Sequence, residues 1–274
     1  MTSMSRKRVS IVIPNYNYGR FLPRIALSLT NQTIGVDVCE IIFVDDGSTD
    51  ESMDRLACLE ELPSAGFRVV ELEHTGSPAT VRNTGLQLAE APYAVCLDPD
   101  DLPSPEWLAA CVATMEEQPK TGLVYTHFIR SQDGDCRRME LPEYSHEELA
   151  TRNILPPAPV MRRKVFEASD GFRDNTDYEI WDFGVQAALN GFGFTLLNAT
   201  YYAYMIHGEN RSLKRPPEDG PSKAAIVRNN PQFFPEQAQQ WAEAVIQHSN
   251  WAEHFTSGVI PDATSVEKML KNKF

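Results

Sequence analysis

The run Cys96-Leu97-Asp98-Pro99-Asp100-Asp101 puts three carboxylates within four residues at the end of an apolar, strand-like segment. Side chains two apart on an extended chain point the same way, so Asp98 and Asp100 are placed to face one ion. Hard oxygen ligands suit Mg²⁺ or Mn²⁺, and such an ion in turn holds a diphosphate. The same residues also read as a turn whose acids cap the helix expected after Asp101-Leu102-Pro103-Ser104-Pro105, and both readings stand at this level. A second acidic strand end, Asp45-Asp46-Gly47-Ser48, closes another buried run. A carboxylate there can accept the imide N–H of uracil or thymine, or the N1–H and amino group of guanine. The competing reading is an Asp-Gly turn with a helix cap.

A third stretch, His74-Thr75-Gly76-Ser77-Pro78 followed by Ala79 to Gly85, joins a strand to a helix that opens on Pro78. Free N–H groups at such a junction suit an anion. Arg82 on that helix can reach a phosphate or brace the aspartates, though an Arg on a surface helix is ordinarily just solvated.

The elements that position these residues alternate. Strands are expected at Val9–Ile13, Glu40–Val44, Phe67–Leu72, Tyr93–Leu97 and Gly122–Ile129. Helices are expected at Arg20–Asn31, from Ser48 or Thr49 to about Leu62, at Pro78–Glu90 and at Pro105–Gln118. This pattern implies a mainly parallel three-layer α/β sheet, and ligands in such sheets bind beyond the carboxyl ends of the strands, where the acidic clusters lie. Further on, Gln132–Asp135 reads as a turn, Asp177–Asn190 as a helix, and Phe194–Leu197 and Tyr201–Ile206 as two late strands. Pro216, Pro217, Gly220 and Pro221 mark a linker. The tail from Ser222 reads as helical, with Trp241, Val245 and Trp251 as apolar anchors.

A formal charge of −13 over 274 residues argues against a nucleic-acid surface, which needs clustered Lys and Arg. It does not exclude a small anion held by a metal, an Arg and a helix N-terminus. The five cysteines are widely spaced, with no C-x-x-C, so packing is their expected role rather than disulfides or zinc. No stretch is apolar enough for a transmembrane span, and the basic N-terminus to Arg8 lacks the apolar core of a signal peptide. A reducing cytoplasm is the expected location.

Taken in order, Val9-Ser10-Ile11-Val12-Ile13-Pro14-Asn15-Tyr16-Asn17, Asp45 to Asp50, Ala79 to Gly85 with Arg82-Asn83, and Leu97 to Asp101 resemble the inverting family-2 glycosyltransferases with the GT-A fold. The resemblance covers roughly the first 105 residues closely, the part to about Ser212 loosely, and the tail after Lys214 not at all. It implies a GT-A-type α/β/α sandwich with a mainly parallel sheet and a helical C-terminal extension. It divides the chain into a 1–214 glycosyltransferase domain, with a nucleotide-binding half at 1–105 and an acceptor-binding half at 106–214, and a 215–274 linker and extension. It implies a nucleotide-diphosphate sugar donor, UDP foremost, with Mn²⁺ or Mg²⁺. Pro14, Tyr16 and Asp46 would frame the nucleoside, Arg82, Asp98 and Asp100 the donor, and Asp100, Asp101 and His207 the metal. Asp177 takes the place of the family's general base, with Thr176 where Glu is common and Glu179 as the fallback if the register shifts by two. In Tyr204-Met205-Ile206-His207, Met205 stands where many members carry Arg. The implied acceptor is a carbohydrate, a lipid-linked or a small-molecule hydroxyl. The tail leaves a homodimer open, and lipid-linked acceptors leave a peripheral membrane association open. The competing readings are a non-catalytic nucleotide-sugar binder of the same fold and, less favoured, a nucleotidyltransferase. The latter would carry a Gly-rich basic loop where Pro14 to Tyr18 stand.

Overall fold

Runs of Val and Ile buried on both faces need cover from both sides, and the chain supplies it. In the computed structural model, which describes residues 7–60, 66–214, 218–253 and 255–271, a nine-stranded sheet lies between two helical layers. Its strands are β1 (Val9–Asn15), β2 (Cys39–Asp45), β3 (Phe67–Glu71), β4 (Tyr93–Cys96), β5 (Leu102–Pro103), β6 (Thr121–Gln132), β7 (Asp135–Met139), β8 (Val160–Arg162) and β9 (Gly193–Ile206). The order is β3-β2-β1-β4-β8-β6-β9-β5, with β7 pairing β6. The first four strands are parallel. Antiparallel β8 is inserted between β4 and β6, and β6 and β9 are again parallel.

The helices are α1 (Leu22–Thr30), α2 (Ser52–Glu60), α3 (Pro78–Leu88), α4 (Trp107–Glu117), α5 (His146–Thr151), α6 (Arg163–Glu167), α7 (Glu179–Leu189), α8 (Arg211–Lys214), α9 (Asp219–Asn229), α10 (Glu236–Ile246) and α11 (Ala263–Lys271). Alternation along β1 assigns the two layers. Ile11 and Ile13 pack with Leu22, Ile25 and Leu29 of α1 and with Trp107, Leu108 and Val112 of α4. Val12 faces the other way, into a core shared by α3, by Trp181, Phe183 and Val185 of α7, and by α9 and α10. Trp241 and Val245 are buried there. The C-terminal helices therefore belong to the same layer as α3 and α7.

Several elements depart from expectation for identifiable reasons. The two late strands are one, because β9 runs alongside β6 through register shifts near Thr126 and His127. Residues Asp135 onward continue past the expected turn as a hairpin strand on β6. The helix expected from Asp177 starts at Glu179, since Tyr178 is its non-helical cap. Gly220 and Pro221 form the first turn of α9 rather than a linker, a position where proline's missing N–H costs nothing. The basic N-terminus through Arg6, the expected helix end near Leu62, and Pro216 and Pro217 lie outside the described residues. Cys39, Cys96 and Cys111 are buried and all five cysteines are free. Among the described residues no helix is long and apolar enough to cross a membrane.

The seat of α3 on the sheet depends on Gly85. A Cβ there would stand 2.3 Å from Val12 Cγ1 and 3.1 Å from Val44 Cγ2. Alanine would gain up to ~1 kcal/mol of helix propensity, but overpacking typically costs ~1–3 kcal/mol, and both valines are held by strand backbone. Gly85→Ala is expected to lower the melting midpoint by several degrees, read by thermal denaturation.

Candidate active site

At the carboxyl ends of β1, β2 and β4 the chain turns sharply and exposes polar groups. Pro14 is tolerated inside the sheet because β4 pairs with β1 only as far as Val12, so no ladder bond on that side is lost at Pro14. Just beyond it Asn15 Nδ2 donates to Asp45 Oδ1 at 2.6 Å. Asp45 in turn accepts from the Ser48 amide at 2.8 Å and hydroxyl at 2.6 Å. Asn17, in the left-handed region at φ 56°, accepts the Thr49 and Asp50 amides on its Oδ1. The Asp-Gly turn is thus fastened to the loop after β1.

Asp46 closes the neighbouring loop. Its Oδ1 accepts from the Thr75 amide (2.7 Å) and hydroxyl (2.8 Å), and its Oδ2 accepts from the Gly76 amide (3.0 Å). His74 Nδ1 lies 3.1 Å from the same Oδ2. A carboxylate has about four acceptor positions, so most of this one is spent on folding residues 74–76. His74 also stacks on Tyr16, with ring centroids 4.2 Å apart, and Tyr16 is 42% exposed. The result is an exposed aromatic platform at the rim. Nothing in the spacing of the His74 to Pro78 motif signals this stack.

The Asp98 to Asp101 segment is a turn, not an extended strand end. The Asp101 amide donates to the Asp98 carbonyl at 3.2 Å, and Pro99 sits where such turns favour proline. The turn sends Asp98 and Asp100 to different partners. Asp98 Oδ1 accepts from Arg82 Nη2 at 3.0 Å, while Arg82 Nη1 donates to Glu179 Oε2 at 2.6 Å. The Arg82 and Glu179 side chains are 14% and 8% exposed. Burial disfavours the guanidinium charge, but Asp98 and Glu179 outweigh it and raise the Arg82 pKa further. Arg82 is therefore a brace between two carboxylates. Glu179, the fallback base, is committed to that pair.

Asp100 is nearly buried, and its Oδ2 lies 2.9 Å from His207 Nε2 and accepts from Asn210 Nδ2 at 3.1 Å. His207 Nδ1 accepts from the Glu209 amide at 3.2 Å, so a neutral ring carries its proton on Nε2 and donates to Asp100. Phe21 stacks on the His207 ring at 4.9 Å. Arg24 donates to the Asp100 carbonyl. Burial, and then the charge of Asp98, push the Asp100 carboxyl up to about 6 against the opposing pull of His207. Asp101 is fully buried, with Oδ1 accepting weakly from the Met205 amide at 3.4 Å and, among the described residues, Oδ2 without a hydrogen-bond partner. Burial and the two neighbouring aspartates raise it well above the usual carboxylate range.

These observations bear on a divalent cation. Among the described residues no three His, Cys, Asp or Glu side chains converge as a ready-made metal cluster. The 2.9 Å between Asp100 Oδ2 and His207 Nε2 is nevertheless close to the ~3 Å that separates adjacent ligands of an octahedral ion with ~2.1 Å bonds. Two protein ligands with the remainder from diphosphate and water is how Mg²⁺ is commonly held. The orphaned Asp101 oxygen and the raised carboxyls mark a place short of positive charge. Holding the ion on Nε2 would move the ring proton to Nδ1 and release the Glu209 amide, and with that exchange the donor set fits such an ion.

Asp177 lies just before α7 and is exposed. Its Oδ2 accepts from the Ser222 hydroxyl and the Glu218 amide, each at 3.0 Å. Thr176, in the place where Glu is common, is buried and donates to the Ser222 carbonyl at 3.0 Å. His127 is structural, accepting the Leu141 amide on Nδ1 and lying 3.3 Å from Asn198 Oδ1. Trp181 and Tyr202 are core residues. Sequence reasoning gave no role to Asn15, Asn17, Arg24 or Asn210; their side chains act on residues far along the chain.

Comparison with known proteins fits this geometry. The family model described as "Glycosyl transferase family 2" matches residues 10–168. A hyaluronan synthase of Pasteurella multocida is 29% identical over 212 residues, 76% of this chain and 21% of that protein. A poly(ribitol-phosphate) beta-glucosyltransferase of Bacillus spizizenii is 38% identical over 97 residues, 34% of this chain and 15% of that one. The chain thus spans about a fifth of the length of the synthase. Among solved structures, S. aureus TarS 1–349 in complex with UDP-GlcNAc superposes with a TM-score of 0.68 at 20% identity, covering 86% of this chain and 70% of that one. The mannosyltransferase PcManGT of Pyrobaculum calidifontis, in complex with GDP-Man and Mn²⁺, gives 0.65 at 18% identity, covering 97% and 75%. At such identity these two establish the fold, which is GT-A. Since the family match takes in more than half of the 274 residues and includes every strand end that builds the acidic rim, the chain belongs to glycosyl transferase family 2.

Proposed function

We propose that the chain transfers a sugar, with inversion at the anomeric carbon, from a UDP-type nucleotide-diphosphate donor to a hydroxyl of a glycan or related polyhydroxyl chain. The observation that carries this reading is the meeting of Asp100 and His207, 2.9 Å apart, beside the Asp98–Arg82–Glu179 brace at the rim of the sheet. The similar structures were solved with UDP-GlcNAc and with GDP-Man and Mn²⁺, which supports a nucleotide-sugar donor and a divalent cation. The names of the synthase and glucosyltransferase relatives support the acceptor class.

In this reading the nucleoside rests by Pro14 and the Tyr16–His74 platform, with Asp46 shaping the loop beside it. Asp98 and Asp100 address the donor, and Asp100 with His207 would hold Mn²⁺ or Mg²⁺, Asp101 adding a carboxylate behind them. When bound, the cation neutralises charge developing on the leaving diphosphate. Asp177 removes the acceptor proton as the hydroxyl attacks, so no covalent enzyme intermediate is needed. A cytoplasmic protein, alone or as a homodimer, suits such a donor. The alternative of a non-catalytic binder is favoured by Thr176 replacing a carboxylate and by the unmatched tail, and Thr176 is occupied in holding Ser222.

Calorimetric titration with UDP, GDP and dTDP, each with Mn²⁺ and then with excess EDTA, tests the donor site. UDP is expected to bind with metal and to lose affinity at least tenfold with EDTA or in Asp100→Ala. Binding of none of them would end the reading.

The two candidate bases separate by turnover on one side and stability on the other. Asp177→Asn is expected to lower kcat by ~10²–10⁴ with donor affinity retained. Glu179→Gln leaves Arg82 short of a partner, and breaking a buried pair costs ~3–5 kcal/mol, so its signature is a lower melting midpoint. A donor-competent Asp177→Asn with wild-type turnover would rule out this base.

The raised Asp100 carboxyl also predicts a pH dependence. A carboxyl at about 6 in the folded chain and near 3.9 unfolded makes the folded state bind more protons across that window. Its stabilising contribution is complete below about pH 4 and lost as pH rises through 6. In EDTA the melting midpoint should fall more steeply between pH 5 and 7 in the wild type than in Asp100→Asn. Equal slopes would exclude Asp100 as the titrating group.

A further inference from the structure

The C-terminal helices do more than cover the sheet. Three consecutive residues ahead of α7 bond to the first turn of α9. Thr176 Oγ1 donates to the Ser222 carbonyl at 3.0 Å. Asp177 Oδ2 accepts from the Ser222 hydroxyl and the Glu218 amide, and the Asp177 amide donates back to Ser222 Oγ at 3.2 Å. Tyr178 donates its hydroxyl to Asp219 Oδ1 at 2.6 Å. The flanking residues follow suit, with Asn175 paired to Asn229 at 2.9 Å and Arg173 donating to Asn230 at 3.1 Å.

That first turn is itself braced from behind. Lys223 is fully buried, pairs with Asp219 at 2.8 Å, and donates to the Thr256 and Val259 carbonyls at 3.0 and 2.8 Å. Its ammonium also lies 4.1 Å from the centre of the Phe255 ring. A buried Lys so fully satisfied fixes the helix start against the segment that follows α10. Both donors to the Asp177 carboxylate fall on Oδ2. Among the described residues Oδ1 receives no protein hydrogen bond and is the oxygen left to take a proton.

We infer that α9 is part of the catalytic apparatus, and that Ser222 and the Glu218 amide are positioning groups that hold the Asp177 carboxylate with Oδ1 toward the acceptor hydroxyl. The inference rests on Asp177 being the base. Both positioning groups lie beyond residue 168, where the family match ends, so this arrangement belongs to the part of the chain that the family pattern does not describe. A loop carboxylate just ahead of a helix would otherwise sample several rotamers, and misplacement by an ångström can cost about a hundredfold in rate.

The two donors can be removed separately. Ser222→Ala deletes the hydroxyl. Glu218→Pro deletes only the amide donor, because Glu218 already has φ −75° and an exposed side chain, within proline's range. Glu218→Ala keeps the amide and serves as the control. Losing one hydrogen bond to a charged group predicts a fall of about tenfold in kcat for Glu218→Pro, and at least as large a fall for Ser222→Ala, which also removes the acceptor of the Asp177 amide. The donor KM and the calorimetric UDP affinity should stay at wild-type values, and Glu218→Ala should behave as wild type. Wild-type kcat in both Ser222→Ala and Glu218→Pro, with Asp177→Asn inactive, would overturn the positioning role and leave the base assignment standing. A parallel loss of UDP affinity in either variant would also overturn it, since general damage rather than orientation would then be the cause. Wild-type turnover in Asp177→Asn would remove the base and this inference with it.

Discussion

Three acidic segments crowd one edge of this sheet, and a single buried guanidinium links two of them. Arg82 reaches from α3 to Asp98 at the end of β4 and to Glu179 at the start of α7. Burial alone would make that charge costly, and it is tolerated because both of its carboxylate partners sit within hydrogen-bonding distance. The consequences spread outward. With Asp98 held by Arg82, the turn at Pro99 delivers Asp100 to His207 rather than to the same partner. With Glu179 held, α7 begins at a fixed point, and the residues just ahead of it, Thr176 to Tyr178, are presented to α9. The brace therefore sets the spacing between the donor side of the site and the proposed base.

Alpha/beta sheets of this kind concentrate function at the carboxyl ends of their strands because loops there converge without competing for sheet hydrogen bonds. In this chain the loops are made rigid by polar side chains rather than by apolar packing. Asn15, Asn17, Asp45 and Ser48 close one loop, and Asp46 closes the next. The apolar work is done below them, where β1 and β2 are buried on both faces. That division lets the rim stay polar and accessible while the sheet carries the stability.

The first half of the fold is legible in the sequence because its signals are local. Val9–Ile13 and Glu40–Val44 are β-branched runs ended by turn residues, and the strands form where those runs lie. The acidic rim follows from the same strand ends. What local pattern does not carry is partnership across the chain. Asp98 and Asp100 looked like a pair facing one ion, although Asp98-Pro99 itself spells a turn. Asn210 reaches Asp100 across 110 positions and Ser222 reaches Asp177 across 45, and neither leaves a periodic trace. Strand β8 has three residues, too few to show alternation. The helix opening at Asp219 was hidden by Gly220 and Pro221, which are as common in linkers as in a first helical turn.

The same charge arrangement explains how a chain of net charge −13 can serve an anionic donor under the proposed reading. Asp100 and Asp101 are both pushed toward their protonated forms by burial and by the charge of Asp98, and Asp101 also by Asp100. Without a cation the rim is therefore a place where added negative charge is disfavoured. Under the proposed reading a divalent cation would favour the ionised form of both carboxylates, and a diphosphate would supply the ligands that the protein lacks. Each ligand then raises the affinity of the other by the same factor, as linkage requires. Under that reading strong mutual dependence of donor and metal would follow from two protein ligands and a deficit of positive charge. A preformed cage of protein ligands would instead bind its metal whether or not the donor had arrived.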